Sequence, residues 1–121
     1  MKQILVVDDD SDILDALQFV LEDSGYAVTT SQKGEYAENL LHKKNLPDLL
    51  ILDVLLSGMD GREICQRLKR NTTTKTLPII MISAHPSAYK SIEKIGANAF
   101  LPKPFDVNVL LKTVERAMKA S

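Results

Sequence analysis

The feature that most restricts the fold of this chain is its regular alternation between short, unbroken apolar runs and longer stretches with helical spacing. Ile4 to Val7, Leu49 to Leu52 and Ile79 to Ile82 are continuously apolar, as strands covered on both faces must be. Tyr26 to Thr30 and Ala97 to Leu101 read as two further strands. Ile13, Leu14, Leu17, Val20 and Leu21 form one helical stripe behind a capping Asp10 or Ser11. Ala37, Leu40 and Leu41 give a second helix over Glu35 to Lys43, and Ile64, Cys65 and Leu68 a third over Arg62 to Arg70. A fourth helix, opened by Pro86, turns Tyr89, Ile92 and Ile95 inward. Val107, Leu110, Leu111, Val114 and Met118 place a last one from about Asp106 to Lys119. Gly25 and Gly96 stand where helices end, and Ser57 to Gly61 has loop chemistry. Strand–helix repeats with short connections predict a parallel sheet with right-handed crossovers, in a single α/β unit over residues 1–121.

Composition narrows the function classes. With 45% apolar and 26% charged residues the chain is neither a disordered tail nor a fibre. A net charge of −1 gives no basic surplus for gripping nucleic acid. Arg62, Arg67, Lys69, Arg70 and Lys75 gather near the third helix, but no aromatic residue interleaves them, so they read as a solvated face. Cys65 has no partner for an internal disulfide and fits a reducing compartment, as a small core residue. Acids follow the opening Met-Lys-Gln-Ile-Leu-Val-Val too early for a signal peptide, and no apolar run is long enough to span a bilayer. A cytoplasmic location, without membrane or direct nucleic-acid partners, is the expectation.

In an open parallel sheet, ligands bind beyond the carboxyl ends of the strands. The first strand ends in Asp8-Asp9-Asp10, the third in Asp53 and the fourth in Ser83, while Lys103 follows the fifth. If the first and third strands are neighbours, about 4.8 Å apart, their carboxylates crowd together. Two unit charges 4 Å apart repel by roughly 4 kcal/mol at an effective dielectric near 20. Such a group either shares a proton or holds a cation, and an all-oxygen set suits Mg²⁺. Asp10 and Asp12 also suit helix caps. Asp53, the lone acid at the end of the central strand, is the best candidate for a phosphoryl-accepting nucleophile, with Lys103 and Ser83 to hold phosphoryl oxygens.

Taken together, these segments resemble the receiver domain of two-component response regulators. The resemblance is carried by Ile4 to Asp10, Pro47 to Asp53, Met59-Asp60-Gly61, Ile82-Ser83-Ala84, and Gly96-Ala97 through Leu101-Pro102-Lys103-Pro104-Phe105. It implies the flavodoxin-like strand order 2-1-3-4-5, which the general description of doubly wound folds gives for a chemotaxis member of this family. It also implies that Asp53 accepts a phosphoryl group from a sensor histidine kinase or a histidine phosphotransfer protein. Asp8, Asp9, Asp53 and the backbone carbonyl of Leu55 would hold Mg²⁺. Lys103 and Ser83 would contact the phosphoryl group, Ser83 and Phe100 would form the switch, and the Lys103–Pro104 peptide would be cis. Such a protein labels itself rather than turning over substrate. An output domain or a second copy would engage the face made by the fourth helix, fifth strand and fifth helix.

Several residues depart from the family pattern. Ser57 stands where Pro is common, which implies a more mobile Leu55–Asp60 loop. Phe100 replaces the commoner Tyr, so a switch there works through packing alone. Leu55 and His85 lie two residues beyond Asp53 and Ser83, positions that in this family influence loss of the phosphoryl group. We take apolar Leu55 to hinder the attacking water. His85 is read as a solvated loop residue, with a water-positioning or metal role as the alternative, and His42 as a surface residue. Three other functions fit the residues less well. A flavin carrier needs a Ser/Thr/Gly phosphate loop where this chain has acids. A haloacid-dehalogenase-like phosphatase would use Asp8 to Ser11 but leaves Asp53 unexplained. A degenerate docking receiver would not keep the full acid, Ser and Lys set.

Overall fold

The computed structural model describes residues 1–85 and 87–119, so the helix start expected at Pro86 lies outside the described residues. Five parallel strands alternate with helices in chain order: β1 (Gln3–Val7), α1 (Ser11–Asp23), β2 (Ala27–Ser31), α2 (Gly34–Glu38), β3 (Leu49–Asp53), α3 (Gly61–Arg70), β4 (Ile79–Ser83), α4 (Ala88–Lys94), β5 (Ala99–Pro102) and α5 (Val107–Lys119). The strands lie in the order β2-β1-β3-β4-β5, as expected.

Strand alternation sends side chains to two separate cores. Leu5, Val7, Leu50, Leu52, Ile79 and Met81 pack with Ala37, Leu40, Ile64, Cys65, Leu68 and Ile92. Ile4, Val6, Leu49, Ile51, Ile80 and Ile82 pack with Leu14, Leu17, Leu21, Leu110 and Val114 of α1 and α5. Each buried Leu or Ile contributes roughly 1.5–3 kcal/mol relative to an exposed one, and a one-residue slip would exchange the two faces. The register is thereby fixed: Val7 pairs with Leu52, Asp53 with Ile82, and Ser83 with Pro102. Asp8, Asp53 and Ser83 therefore emerge along the same edge.

Local differences from expectation have identifiable causes. Strand β2 starts at Ala27 rather than Tyr26, because the Tyr26 N–H closes α1 by donating to the Leu21 carbonyl at 3.1 Å. Gly25 makes that reversal at φ +97°, in the left-handed region the sequence assigned to it. Helix α2 is α-helical only to Glu38 and continues as a 3₁₀ turn over Asn39–His42, Asn being a poor residue for a helix interior. Strand β5 spans Ala99–Pro102 rather than Ala97–Leu101. The Leu55–Asp60 segment is not an open loop: Leu55–Leu56 and Met59–Asp60 pair as an antiparallel ribbon, turned by Gly58 at φ +74°. Tyr89 and Val107, assigned to the core, are half-exposed. Tyr89 instead sets its ring edge-on to Phe100, with centroids 5.5 Å apart. Val107 is turned outward by the cap of α5, where the Asp106 carboxylate accepts from the N–H groups of Asn108 and Val109.

Candidate functional site at the carboxyl edge of the sheet

Asp8 and Asp9 end β1, but the pleat separates their environments. Asp8 is fully buried and Asp9 is exposed. The Asp8 N–H continues the β2 ladder by donating to the Ser31 carbonyl at 3.1 Å, and Asp8 Oδ1 accepts from the Asp10 N–H at 2.9 Å. Asp10 faces away and caps α1, accepting from the Asp12 N–H at 2.9 Å, so the capping reading holds for it. Asp53 ends β3 and is 5% exposed. Carboxylate oxygens of Asp8, Asp9 and Asp53 all lie within 4.8 Å of one another.

Lys103 reaches into this group from beyond β5. Its Nζ lies 2.8 Å from Asp8 Oδ2 and 3.4 Å from Asp53 Oδ2. Its backbone N–H donates to the Ser83 carbonyl at 2.8 Å, which ties the lysine to the end of β4. The Lys103–Pro104 peptide is cis. Among the described residues, the ammonium is the sole partner of the buried Asp8 Oδ2. Burial disfavours its charge, but the hydrogen bond it donates to Asp8 and the charges of Asp53 and Asp8 outweigh that and hold Lys103 above the ordinary lysine range. Asp53 moves the other way for a carboxyl. Desolvation first, and then repulsion from Asp8, push it up to about 6, against the pull of Lys103 and of the Leu55 backbone N–H.

Among the described residues one lysine thus pairs with two of the three clustered carboxylates, and Asp8 keeps a buried oxygen with no second partner. The donors are all oxygen, without His or Cys, so the set fits a hard divalent cation. Leu55 sits at the mouth with its main chain beside Asp53 and its side chain half-exposed. Ser83 is buried, and its Oγ accepts from the His85 N–H at 3.0 Å. Val54, Leu55, Arg62, Ser83, His85, Ser87 and Ala88 line a cleft on this side of Asp53, so His85 belongs to the rim of the site. Phe100 lies partly buried one strand over, packed against the α2–α4 core and Tyr89, and touches none of the acids.

Sequence reasoning missed three contributors. Ser57 Oγ donates to Asp9 Oδ2 at 3.2 Å, so the segment read as mobile is pinned to the acid cluster. Gln32 Nε2 donates to the Asp9 carbonyl at 3.1 Å from the loop after β2. A Cβ built on Gly61 would overlap the Asp53 carbonyl oxygen, and the Gly61 N–H donates to the Val54 carbonyl at 2.7 Å. Gly61 carried a signal as part of Met59-Asp60-Gly61, and Ser57 stood out as a departure from Pro without its contact being foreseen. The Ser57 and Gln32 contacts depend on loop paths that periodicity does not encode. The basic residues near α3 are not one solvated face either: Arg62 is engaged by Asp60, and Lys69 Nζ donates to Leu77 O and Asn98 Oδ1, each at 2.7 Å. Cys65 is buried in the core, and its thiol is pushed up to about 11 by desolvation.

Comparison with known proteins agrees with this geometry. Residues 4–115 match the response regulator receiver domain family. The alkaline phosphatase synthesis transcriptional regulatory protein PhoP of Bacillus subtilis is 38% identical over 120 residues, covering 95% of this chain and 49% of that protein. The chain spans about half the length of such curated relatives. The chemotaxis response regulator CheY4 of Vibrio cholerae superposes with a TM-score of 0.85 at 33% identity, covering 97% of this chain and 98% of that one. The signal receiver domain of a signal transduction histidine kinase from Syntrophus aciditrophicus gives 0.88 at 31% identity, covering 99% and 92%. No helix among the described residues is long and apolar enough to cross a membrane. With the fold, the strand order and the acidic edge in agreement, this chain belongs to the response regulator receiver domain family.

Proposed function

We propose that residues 1–121 act as one receiver unit in which Asp53 is the phosphoacceptor. The observation that carries this reading is the arrangement of three carboxylates within 4.8 Å of one another, two of them paired with the Lys103 ammonium, at the strand ends of a parallel sheet. A carboxylate oxygen of Asp53 forms a P–O bond while the P–N bond of a phosphohistidine breaks. The imidazole leaves with the electron pair and keeps or regains its proton from solvent. Lys103, already 3.4 Å from Asp53, supplies a compact positive charge for one phosphoryl oxygen. The Ser83 hydroxyl accepts from the His85 N–H, which keeps its own proton for donation to another. Asp8, Asp9, Asp53 and the Leu55 carbonyl would hold Mg²⁺, which when bound supplies charge neutralisation for the phosphoryl oxygens.

The donor in this reading is a sensor histidine kinase or a histidine phosphotransfer protein, in the cytoplasm. The unit labels itself once and does not turn over. Movement of Ser83 toward the phosphoryl group, with inward packing of Phe100, would change the α4–β5–α5 face offered to an output domain or to a second copy. Intact mass after incubation with Mg²⁺ and a small acyl phosphate tests the assignment. One added phosphoryl group on wild type and none on Asp53→Ala is expected. Steady phosphate release from generic phosphomonoesters would favour a phosphatase, and no labelling at all a degenerate docking receiver.

A further inference from the structure

Beside the acidic site, Arg62 ties the Leu55–Asp60 ribbon to α4 through side-chain hydrogen bonds at both ends of its guanidinium. Its Nε donates to Asp60 Oδ1 at 3.0 Å and its Nη2 to Asp60 Oδ2 at 2.8 Å, a bidentate pair. The Arg62 N–H also donates to Asp60 Oδ1, at 2.9 Å, so Asp60 caps α3 and clamps the guanidinium together. The remaining nitrogen, Nη1, crosses to α4 and donates to Ser91 Oγ at 3.1 Å. Ser91 in turn donates to the Ala88 carbonyl at 2.8 Å, which fixes its rotamer. Asp60 is paired across the ribbon with Leu55, the residue next but one to Asp53.

We propose that Arg62 is a positioning residue, a strut that makes α4 follow the Leu55–Asp60 ribbon directly, by a route that bypasses Ser83 and Phe100. Its use in signalling rests on the reading of Asp53 above; the mechanical linkage does not. A planar guanidinium held at both ends transmits displacement better than a flexible single-point contact, because bidentate pairing fixes its orientation as well as its distance. The helix it holds is short, spanning Ala88–Lys94, with only Ala88 and Ile92 buried among its residues. A single strong polar tie is a large part of what positions such an element.

Amide hydrogen exchange on the metal-free protein tests the strut. Ser91→Ala is expected to speed exchange of the Ile92, Glu93 and Lys94 amides by roughly fivefold, the loss of about one hydrogen bond. Asp60→Asn, which does not touch α4, is expected to speed the same amides by a similar factor while α1 and α5 stay at wild-type rates. In an Arg62→Leu background, Asp60→Asn should add nothing at α4, and Ser91→Thr in the wild-type background should exchange at wild-type rates. Wild-type exchange of α4 in Asp60→Asn, or an effect of that change that persists in Arg62→Leu, would overturn the proposal. None of these readouts needs Asp53 to take up a phosphoryl group, so failure of the strut is distinguishable from failure of the receiver reading.

Discussion

Lys103 Nζ sits 0.6 Å closer to Asp8 than to Asp53, at 2.8 against 3.4 Å, so its first commitment is to the acid that solvent cannot reach. Removing one partner of a buried pair leaves a charge uncompensated and costs about 3–5 kcal/mol. Lys103→Met is therefore expected to lower stability by about 3 kcal/mol in chelator and to recover part of that loss in millimolar Mg²⁺, measured by urea unfolding. An equal loss with and without Mg²⁺ would contradict the assignment of these acids as its ligands.

The protonation of Asp53 sets a pH dependence with a definite sign. Its carboxyl rises from 3.8 to about 6 on folding, through desolvation and then repulsion from Asp8. The folded chain then binds more protons than the unfolded one between about pH 4 and pH 6. The contribution of Asp53 is fully present below the lower of these values and is lost as pH rises through the upper. Relative to Asp53→Asn, the metal-free wild type should lose about 2 kcal/mol between pH 4.5 and 7.5. Parallel stability curves for the two proteins would refute this. The carboxyl of Asp60, held low by the Arg62 hydrogen bonds, contributes a slope of opposite sign, but equally to both.

Gly61→Ala should be among the most damaging single-methyl changes available. The added Cβ would overlap backbone, the Asp53 carbonyl, rather than the far end of a flexible side chain. A loss of about 3 kcal/mol is expected by chemical denaturation, with weaker Mg²⁺ binding because Asp53 itself must shift. Wild-type stability in this variant would mean that the α3 start is free to move.

Leu55 stands half-exposed two residues beyond Asp53, in a cleft it lines together with Ser83 and His85. With Asp53 as phosphoacceptor, an apolar side chain there would exclude a water attacking the aspartyl phosphate. Leu55→Asn should shorten the phosphorylated lifetime several-fold, followed by loss of radiolabel. Decay no faster than wild type would remove Leu55 from any protective role.

The parts of this molecule that were legible in sequence are those that repeat or that bury. Ile4–Val7, Leu49–Leu52 and Ile79–Ile82 announce buried strands because nothing but a two-sided core tolerates such runs. Asp8, Asp9, Asp53, Ser83 and Lys103 were legible because strand ends converge in a parallel sheet. Tyr89 and Val107 were misplaced because helical spacing fixes a stripe but not its rotation, which a cap or a neighbouring ring decides. Ser57 and Gln32 act from loops, where no period exists to read. Arg62 carried only the signal of a charge among charges; its contact with Ser91, 29 residues away, exists only once α3 and α4 lie side by side.

The pleat of β1 turns Asp8 into the interior and Asp9 out to water, while β3 leaves Asp53 nearly sealed between them. The acid cluster consequently meets solvent through Asp9, with the exposed side chains of Ser57 and Leu55 nearby. Under the phosphoacceptor reading of Asp53, a donor would reach that carboxylate past these residues. Solvent access to a nearly sealed carboxylate is thus set by the strand pleat that exposes its neighbour.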